Sequence, residues 1–559
     1  MLLTSLKQFC DSVRTGKPPA RRRARLGRAY PGRACAADVL ESRVLLAATL
    51  WVDPAHAGNF ASISSAVAAA VPGDTIKVVP GIYQETVIVP ATLTNLTIVG
   101  GQAQFAGQKG PSIVESDGVA IALEANDVTV KGFTVEPETS AGVFTANGIR
   151  MDANSGDSVL NNVVEDEQVG IWVNTLPGSV ADELISGNTV EENLYGILVY
   201  GSGNTVSGNT AAFNGGSPSG TPIGGGIVVS TTGSIVLSGN TVNNNAVAGI
   251  NVTAGSTATI TGNKVDNSSS SPGIVVNDST GTAVVESNTA DANAGDGIDV
   301  TSQAATVTGN TANSNAGNGF GIVTTGSATT SVNTAKGNEF VGLDVQGATA
   351  TVEGNTASGN EVGVDVVTTG QATVLDNTTN KNVLGLGIIS GPVTATGNTA
   401  DSNSGTGMLV AATSGTVSNN TADSNLGSAA AGGAGFEITG TGTVTVTNNT
   451  ASNNRADGFS LFLLDGATFS HNTAKDNGDN GIDLVDSNNN TLSGNTADGN
   501  LNDGIVAETS SGNVITKNTA LKNDVYDLAD MSTGGTGTAG TDNSWTDNTA
   551  HTANPAGLL

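Results

Sequence analysis

Residues 472–523 read NTAKDNGDNGIDLVDSNNNTLSGNTADGNLNDGIVAETSSGNVITKNTALKN and contain a regular repeat. The tripeptide Asn-Thr-Ala opens it at Asn472 and returns at Asn495 and Asn518, in two equal steps. A second asparagine follows each of these anchors five positions later. A glycine-led apolar run, such as Gly481-Ile482-Asp483-Leu484, lies between the anchors. A fixed period of this length is typical of a solenoid, in which each turn of the chain stacks on the turn before it.

The repeat extends over most of the chain. Most of the steps between anchors span roughly 22 residues, within the range of solenoid repeats. The other anchors are Asn162, Asn188, Asn209, Asn240, Asn263, Asn288, Asn310, Asn333, Asn355, Asn377, Asn398, Asn420, Asn449 and Asn548. The second asparagine is replaced by Ser268 after Asn263. Two turns are longer, with insertions at Gly215–Gly225 and Leu426–Gly435 that we expect to protrude on one side of the solenoid.

The composition of each repeat predicts an all-β solenoid. Short Val/Ile/Thr runs alternate with period two between Gly and Asn, and no helical periodicity is present. Three short strands and three corners fit into about 22 residues, which describes a parallel β-helix of roughly twenty turns. We expect the anchor asparagines to stack as side-chain amide ladders and to occupy left-handed corners. On that view Asn377→Val destabilises the fold because valine disfavours a left-handed backbone.

Charge and cysteine content narrow the function. Residues 1–43 contain ten Lys/Arg and three Asp/Glu, whereas the remaining 516 contain eleven basic and 47 acidic residues. The acidic body argues against nucleic acid and anionic membranes, and leaves cations and neutral polymers as partners. Both cysteines, Cys10 and Cys35, precede the repeats, so the body has no disulfide scaffold. No apolar run is long enough to cross a bilayer, so we expect no transmembrane segment, and the regular repeat favours a monomer.

Residues 1–49 are predicted to be a basic leader, and residues 50–559 a single β-helix domain. Arg21-Arg22-Arg23 precedes Leu40-Glu41-Ser42-Arg43-Val44-Leu45-Leu46, in the order of a secretory signal. This segment resembles the Leu-Glu-Pro-Arg-x-Leu-Leu leader of some exported bacterial surface proteins, with Ser42 in place of the proline. The resemblance implies export to the exterior or cell surface of a bacterium. A disordered basic tail is the alternative.

The start of the body carries a family resemblance. Phe60, Ile63, Val67 and Ala70 have helical spacing, Pro72-Gly73-Asp74 follows, and Thr75–Val79 reads as a strand. This stretch resembles the N-terminus of pectinesterase-like proteins, and the repeats resemble the right-handed β-helix superfamily that includes pectate lyases and NosD-like proteins. The resemblance implies a short helix over the first turn. Its shared motifs are architectural, and the chain lacks a lyase, hydrolase or pectinesterase catalytic motif.

Two groups of residues could carry chemistry on the outer face of the glycine-led strands. Alternation places outside a column that includes Asp299, Val323, Asp344, Asp365 and Ile389. Asp344 and Asp365 fall on neighbouring turns, about 5 Å apart, and oxygen-only ligands suit Ca²⁺, with Asp299 as a further ligand. An ordinary acidic surface ladder is the alternative.

The second group lies nearer the start and combines a cation, a carboxylate and aromatic rings. Its members are Arg150, Asp152, Trp172, Asn174 and Tyr200. Trp172, Asn174 and Tyr200 are predicted to bind substrate, since flat aromatic faces stack on sugar rings. In the lyases that the chain resembles, Arg or Lys abstracts a proton beside an acidic sugar held by Ca²⁺, which makes Arg150 and Asp152, or Asp344 and Asp365, the catalytic candidates.

The sequence therefore supports three functions. The first is an exported or surface protein that binds a polysaccharide or cell-surface glycan along its exposed strand face. The second is a polysaccharide lyase or glycoside hydrolase, and the third is a structural or adhesion protein without activity. Isolated His56, His471 and His551 give no copper site of the NosD-like kind.

Overall fold

The predicted parallel β-helix is confirmed. The structure is a computed structural model and describes residues 47–138, 146–152, 155–176, 179–216, 223–427 and 432–559, so the leader before Ala47 lies outside the described residues. These residues form a right-handed β-solenoid of about 21 turns. The strands form three columns, and successive turns pair in parallel throughout.

The three columns are named sheets 1, 2 and 3 in the order in which one turn passes through them. Sheet 1 contains the glycine-led strands of the repeats, together with the strands of the same column at both ends of the solenoid. Its strands are Val87–Val89, Val119–Leu123, Asn147–Asp152, Val169–Asn174, Tyr195–Tyr200, Gly225–Ser230, Ile250–Thr253, Phe320–Thr324, Val341–Gly347, Val362–Thr368, Phe436–Thr441, Phe459–Asp465, Ile482–Val485, Ile505–Glu508, Leu528–Asp530 and Ala553–Asn554. Four longer strands bend from sheet 1 into sheet 2: Ile274–Glu286, Ile298–Thr308, Leu384–Thr396 and Met408–Ser418.

Sheets 2 and 3 complete each turn on either side of the anchor asparagine. Sheet 2 holds Thr49–Val52, Thr75–Val78, Thr97–Val99, Thr129–Lys131, Ser158–Leu160, Leu184–Ser186, Asn204–Ser207, Ile235–Ser238, Thr257–Thr261, Ser327–Ser331, Thr349–Glu353, Ala372–Leu375, Val444–Thr447, Thr468–Ser470, Thr491–Ser493, Val514–Thr516 and Ser544–Thr546. Sheet 3 holds Gly81–Gln84, Ser112–Glu115, Phe133–Glu136, Val163–Glu165, Thr189–Glu191, Thr210–Ala212, Thr241–Asn243, Lys264–Asp266, Thr289–Asp291, Thr311–Asn313, Thr334–Lys336, Thr356–Ser358, Thr378–Asn380, Thr421–Asp423, Thr450–Ser452, Thr473–Lys475, Thr496–Asp498 and Thr519–Leu521.

The interior is a narrow apolar column closed by helices. Alternation along every strand turns Val, Ile, Ala and Phe side chains inward, and Phe436 stacks on Phe459 with ring centroids 4.8 Å apart. The helix Ile63–Ala69 packs on the first strands through its buried side chains, as the family resemblance implied. At the other end lie two short 3₁₀ helices, Thr538–Gly540 and Ala556–Leu558. Among the described residues, none of the helices is long and apolar enough to cross a membrane.

The anchor asparagines stack in one ladder, unbroken from Asn162 to Asn548. In each step, the Oδ1 of one asparagine accepts the backbone N–H and the Nδ2 of the asparagine one turn earlier. For Asn377 these two distances from Asn355 are 3.0 and 2.9 Å. The Nδ2 of Asn377 donates in turn to the Val352 carbonyl at 2.9 Å and to Asn398 Oδ1 at 2.9 Å. The predicted stacking is confirmed.

The prediction that the anchors themselves take up the left-handed backbone is wrong. The left-handed residue is the one before each anchor, as at Gly354 (φ +63°), Asp376 (φ +52°) and Gly397 (φ +71°). The chain turns the corner at that residue, which leaves the asparagine free to point inward and hydrogen-bond. The anchor is therefore selected for its amide and not for its backbone conformation.

Candidate functional site

The outer face of sheet 1 holds all the site residues that the sequence predicted. The register pairs Arg150 with Trp172, and Asp344 with Asp365, on successive turns. The structure does not bring the two groups together, because several turns separate them. They are therefore two separate regions of one face.

Around Arg150 the side chains form a compact polar and aromatic group. Arg150 Nε donates to Asp152 Oδ2 at 2.8 Å, and Asn174 Nδ2 donates to Asp152 Oδ1 at 2.9 Å. Trp172 and Tyr200 meet edge to face, with ring centroids 6.5 Å apart. Since both oxygens of Asp152 already accept hydrogen bonds, this carboxylate chiefly holds Arg150 and Asn174 in place beside the aromatic pair.

The acidic column differs from the predicted one at two positions. The register places Gly321 between Asp299 and Asp344, and Gly387 after Asp365, where Val323 and Ile389 were expected. In each of these turns two glycines lie two residues apart, and the first of them leads the strand. A Cβ on Gly319 would come within 2.6 Å of the Gly342 carbonyl, which is why the leading position must be glycine.

Gly321 and Gly387 open the face on both sides of the paired aspartates. The three carboxyl groups of Asp299, Asp344 and Asp365 are half-buried, and none of them takes part in the ion pairs among the described residues. Burial raises the pKa of each one, helped by Asp296 at Asp299 and by Asp344 at Asp365. Gln346 Nε2 donates to both oxygens of Asp344, at 3.2 and 3.1 Å. The result is a polar trough along the axis of the solenoid. We call it the acidic trough.

The predicted metal ligands do not converge on one point. Within the part of the chain that the structure describes, no group of three or more His, Cys, Asp or Glu side chains is arranged to hold a metal ion. The Ca²⁺ site at Asp299, Asp344 and Asp365 stays a prediction.

A second acidic group, which sequence reasoning missed, lies on the same face towards the C-terminus. We call it the C-terminal acidic cluster, and it comprises Asp457, Asp479, Asp483, Asp503 and Glu508. Asp483 is only 8% exposed, and its Oδ1 is buried without a hydrogen-bond partner. Burial, followed by the charges of the other four carboxylates, raises the pKa of Asp483 to about 8.

Asp457 is the second unusual acid of this cluster. Burial and the charge of Asp479 raise its pKa to about 7, although it accepts a hydrogen bond of 3.0 Å from the Asn480 N–H. An open cavity of about 420 Å³ lies against it, lined also by Glu437, Arg455 and Ser460. Gly432 and Ala434, from the insertion Leu426–Gly435, border the same cavity. The described part of this insertion therefore borders the cavity, and its role in binding stays a prediction.

The sequence did contain a signal for this cluster. Asp457, Asn480 and Asp503 recur at the same spacing as the anchors Asn472, Asn495 and Asn518, each directly before a leading glycine. The strand pattern does not identify them because they lie in the corner before the strand, and only the folded corner turns them towards the same face.

Several solved structures are similar to this chain at low sequence identity. DFA-IIIase from Arthrobacter chlorophenolicus A6 without its lid aligns with a TM-score of 0.32 and 15% identity, covering 59% of this chain and 95% of that chain. The catalytic unit of the GH87 α-1,3-glucanase from Streptomyces thermodiastaticus strain HF3-3 gives 0.30 and 15%, covering 60% and 64%. Pectate lyase Pel9A gives 0.23 and 15%, covering 63% and 79%. A comparison with curated protein sequences gave no significant match.

One family model matches most of the repeat region. It describes the right handed beta helix region and matches residues 196–356, 305–422 and 422–557. These segments lie within the turns whose asparagine ladder and three sheets are described above. The chain therefore belongs to the right-handed β-helix family.

Proposed function

We propose that this protein binds a neutral polysaccharide along the outer face of sheet 1. The observation that carries the proposal is the acidic trough, where the half-buried carboxyl groups of Asp299, Asp344 and Asp365 share one column with Gly321 and Gly387, two positions without a side chain. Carboxyl oxygens without ion-pair partners are free to accept hydrogen bonds from sugar hydroxyls. A long polymer lying along the axis would contact several turns at once.

The chemistry of the face favours a neutral polymer. The body has 47 acidic and eleven basic residues after residue 43, so a polyanion would be repelled. Apolar side chains lie on the same face, with Val323 43% and Ile389 50% exposed, and Trp172 is half-buried farther along it. Such surfaces suit the C–H faces of sugar rings. Residues of both kinds, polar and apolar, thus follow the path of the proposed ligand.

The proposal is tested by filling the trough. In Gly321→Leu the new side chain would extend between Asp299 and Asp344, against the flexible end of Asp296. We expect affinity electrophoresis in dextran, xylan and β-1,3-glucan gels to show binding by the wild type and at least a roughly tenfold weaker binding by the variant, about 1.4 kcal/mol. Val236→Leu, on the exposed face of sheet 2, is the control. Equal retention of both variants would contradict the proposal.

Location and calcium are proposals of the same kind. The basic leader and the acidic body favour export, and mass spectrometry of the extracellular fraction is expected to find an N-terminus between Ala47 and Leu50. Recovery of a chain starting at Met1 outside the cell would refute this.

For calcium, a thermal melt with chelator and with Ca²⁺ is repeated on the double variant Asp344→Asn, Asp365→Asn. An equal shift in wild type and double variant would exclude these two ligands.

A further inference from the structure

The outer face of sheet 2 carries two unbroken columns, mostly of hydroxyl side chains. Along the first column, threonine pairs with threonine on successive turns without a shift in register. Its nine members are Thr306, Thr329, Thr351, Thr373, Thr394, Thr416, Thr445, Thr468 and Thr491. The second column lies two residues farther along each strand, and seven of its nine members are threonine or serine. These members are Thr308, Ser331, Glu353, Leu375, Thr396, Ser418, Thr447, Ser470 and Ser493. We call the two columns together the threonine face.

The fold does not require hydroxyl groups at these positions. In earlier turns of the first column, Leu184, Val236 and Val284 occupy the equivalent places. Valine suits an extended strand as well as threonine does. The threonines after Val284 therefore add a hydroxyl group on every turn, and not a better strand.

The hydroxyl groups of the first column are rigidly held and available to water. All nine threonines are half-buried or exposed, while the residues between the two columns, such as Val307 and Val352, are buried. Branching at Cβ restricts χ1, so each hydroxyl and methyl group keeps a nearly fixed position. In the second column, the hydroxyl oxygens of Thr308 and Ser331 are 3.1 Å apart and share a hydrogen bond. Among the described residues, no such bond joins the hydroxyls of the first column to one another, so these groups are free to bond water.

The threonine face is almost uncharged, although the body is strongly acidic. Glu353 is the one charged residue among its eighteen positions, whereas 47 acidic and eleven basic residues follow residue 43. On the outer face of sheet 3, the same turns carry Lys336, Asp423 and Lys475. The face therefore suits an uncharged partner, since a charged one would find no opposite charge there.

The spacing of the array points to the nature of that partner. Neighbouring turns lie about 4.8 Å apart, so the first column repeats its hydroxyl at this distance from Thr306 to Thr491. The two columns are two residues apart along the strand, which separates them by about 7 Å. The oxygen atoms on the prism face of hexagonal ice repeat at nearly the same two distances. A hydroxyl group both donates and accepts hydrogen bonds, as a water molecule in ice does.

We propose that the threonine face binds ice. Water molecules bonded to the first column take up lattice positions, and through them the face adsorbs to the surface of a growing crystal. The strands hold the hydroxyls in place beforehand, which lowers the entropic cost of ordering these waters. This inference concerns sheet 2 and does not depend on polysaccharide binding at sheet 1.

The experiment measures how much of the full chain enters ice. A solution of the protein is frozen slowly around a cooled rod, and the concentrations in the ice and in the remaining liquid are compared. Thr416→Lys places a long charged side chain near the centre of the first column and should hold several turns away from the crystal. We expect its ratio of ice to liquid concentration to be at least roughly tenfold below that of the wild type. Thr421→Lys is the control, because it makes the same change at a half-buried threonine on the outer face of sheet 3, and it should match the wild type.

The habit of the crystals provides a second readout. Ice crystals that grow in the wild-type solution should develop facets, whereas those in Thr416→Lys should remain rounded discs. Exclusion of the wild type from ice overturns the proposal, and so does equal incorporation of the two lysine variants.

Two further results would assign the face to another partner and overturn the proposal. One is binding of the wild type to crystalline cellulose without incorporation into ice, which indicates a polysaccharide surface. The other is a wild-type dimer that stays out of ice and that Thr416→Lys dissociates, which indicates a second copy of the chain. If circular dichroism shows that Thr416→Lys does not fold, Thr329→Lys in the same column carries the test, since Thr329 is exposed.

Discussion

At the scale of single residues, the amide of the anchor asparagine pairs buried hydrogen-bonding groups that an apolar side chain of the same size would leave unpaired. From Asn162 to Asn518 the anchors are almost fully buried. An anchor such as Asn377 pairs two backbone groups of the preceding turn, the Asn355 N–H and the Val352 carbonyl, as well as the next amide. Buried backbone groups must be paired, and at these corners no strand ladder is available to pair them. The asparagine therefore recurs in the sequence because the corner of each turn has the same buried groups to hydrogen-bond.

Asn377→Leu should be strongly destabilising although it conserves volume. The N–H and Nδ2 of Asn355 lose their acceptor, and the Val352 carbonyl loses a donor. Each buried group left unpaired costs about 1–3 kcal/mol, which urea unfolding would detect. Asn380→Ala, in the same turn, loses one hydrogen bond, from the Asp401 N–H, on the outer side of sheet 3 and is the control. Equal effects of the two substitutions would contradict this account of the ladder.

Val332 offers the opposite case, in which a substitution should stabilise. It occupies the left-handed corner before Asn333 with φ +55°, and its side chain is 65% exposed. Equivalent corners hold Asn161, Asn419 and Asn448. A left-handed backbone costs an ordinary residue about 1–2 kcal/mol, and a β-branched one is a particular outlier. We expect Val332→Asn to raise the free energy of unfolding by about 0.5–1 kcal/mol. Val236→Asn, in an extended strand, should not raise the free energy of unfolding. An equal gain from that substitution would argue against backbone strain at Val332.

At the scale of elements, the corner between sheets 1 and 2 carries a further ladder that uses carboxyl groups. Glu183 Oε2 accepts the Asp157 N–H at 2.6 Å, and the Glu183 N–H donates to Asn204 Oδ1 at 2.9 Å. The side chain is 1% exposed and its Oε1 has no partner. Burial, with the charge of Asp157 added, raises the pKa of Glu183 to about 9. Glu183 thus takes the position that an asparagine amide takes in the next turn, and it is held there as a neutral carboxylic acid.

This ladder makes stability depend on pH. Between the ordinary value of 4.5 and about 9, folded Glu183 keeps a proton that the unfolded chain has released, so the free energy of unfolding falls as pH rises. Glu183→Gln should remove this contribution and gain at least about 1.4 kcal/mol at pH 8, the equivalent of one pKa unit. Thermal melts at pH 5 and 8 provide the measurement, with exposed Glu353→Gln as the control. A Glu183→Gln variant that is less stable than wild type at both pH values would contradict the assignment.

The elements also show what sequence could and could not predict. The period, the three strands per turn and the two asparagine columns follow from the repeat because each reflects a local requirement. The register at Gly321 and Gly387 does not follow from the repeat, because two glycines in each turn could take the leading position. In the turn of Gly321, only the close contact of Gly319 with the next turn decides between them. Spacing from the second asparagine would have settled it, because Asn315 precedes Gly319 by four residues, as Asn338 precedes Gly342.

At the scale of the whole molecule, the solenoid is a stack of nearly equivalent units. Each turn contacts chiefly its neighbours. The free energy of unfolding of the whole solenoid is therefore close to a sum of contributions from the single turns and from the interfaces between them. The candidate site could be predicted only where it follows the strand register. The C-terminal acidic cluster also depends on a corner and on an insertion, which periodicity does not describe.

Removing one whole turn should therefore be tolerated. Deleting residues 378–398 joins Asn377 to Thr399 and restores the Asn-Thr-Ala pattern, so both ladders can close on the next turn. We expect an unchanged circular dichroism spectrum and a modest loss of thermal stability. Deleting only residues 378–388 shifts sheet register and should give insoluble protein, because one face of every shifted strand exposes its apolar side chains. A soluble, folded half-turn deletion would contradict the stacked-unit description.

The asparagine ladders also have a direction, because donors point towards the C-terminus and acceptors towards the N-terminus at every step. The second asparagines, five residues after the anchors, also stack, as Asn360 on Asn382 and Asn500 on Asn523. This second ladder ends where Asn523 donates to Asp527 Oδ1, while Asp527 Oδ2 accepts from the His551 and Thr552 backbones at 2.8 and 3.1 Å. Burial would raise the pKa of Asp527, but these hydrogen bonds, with those from Asn523, hold it below its ordinary value. A stack of short parallel strands with aligned amides is also the architecture of a growing fibril, whose tip templates the next layer. At this end of the second ladder, an ionised carboxylate and the backbone of His551 and Thr552 take the place that a further amide layer would occupy, so that this ladder is closed there.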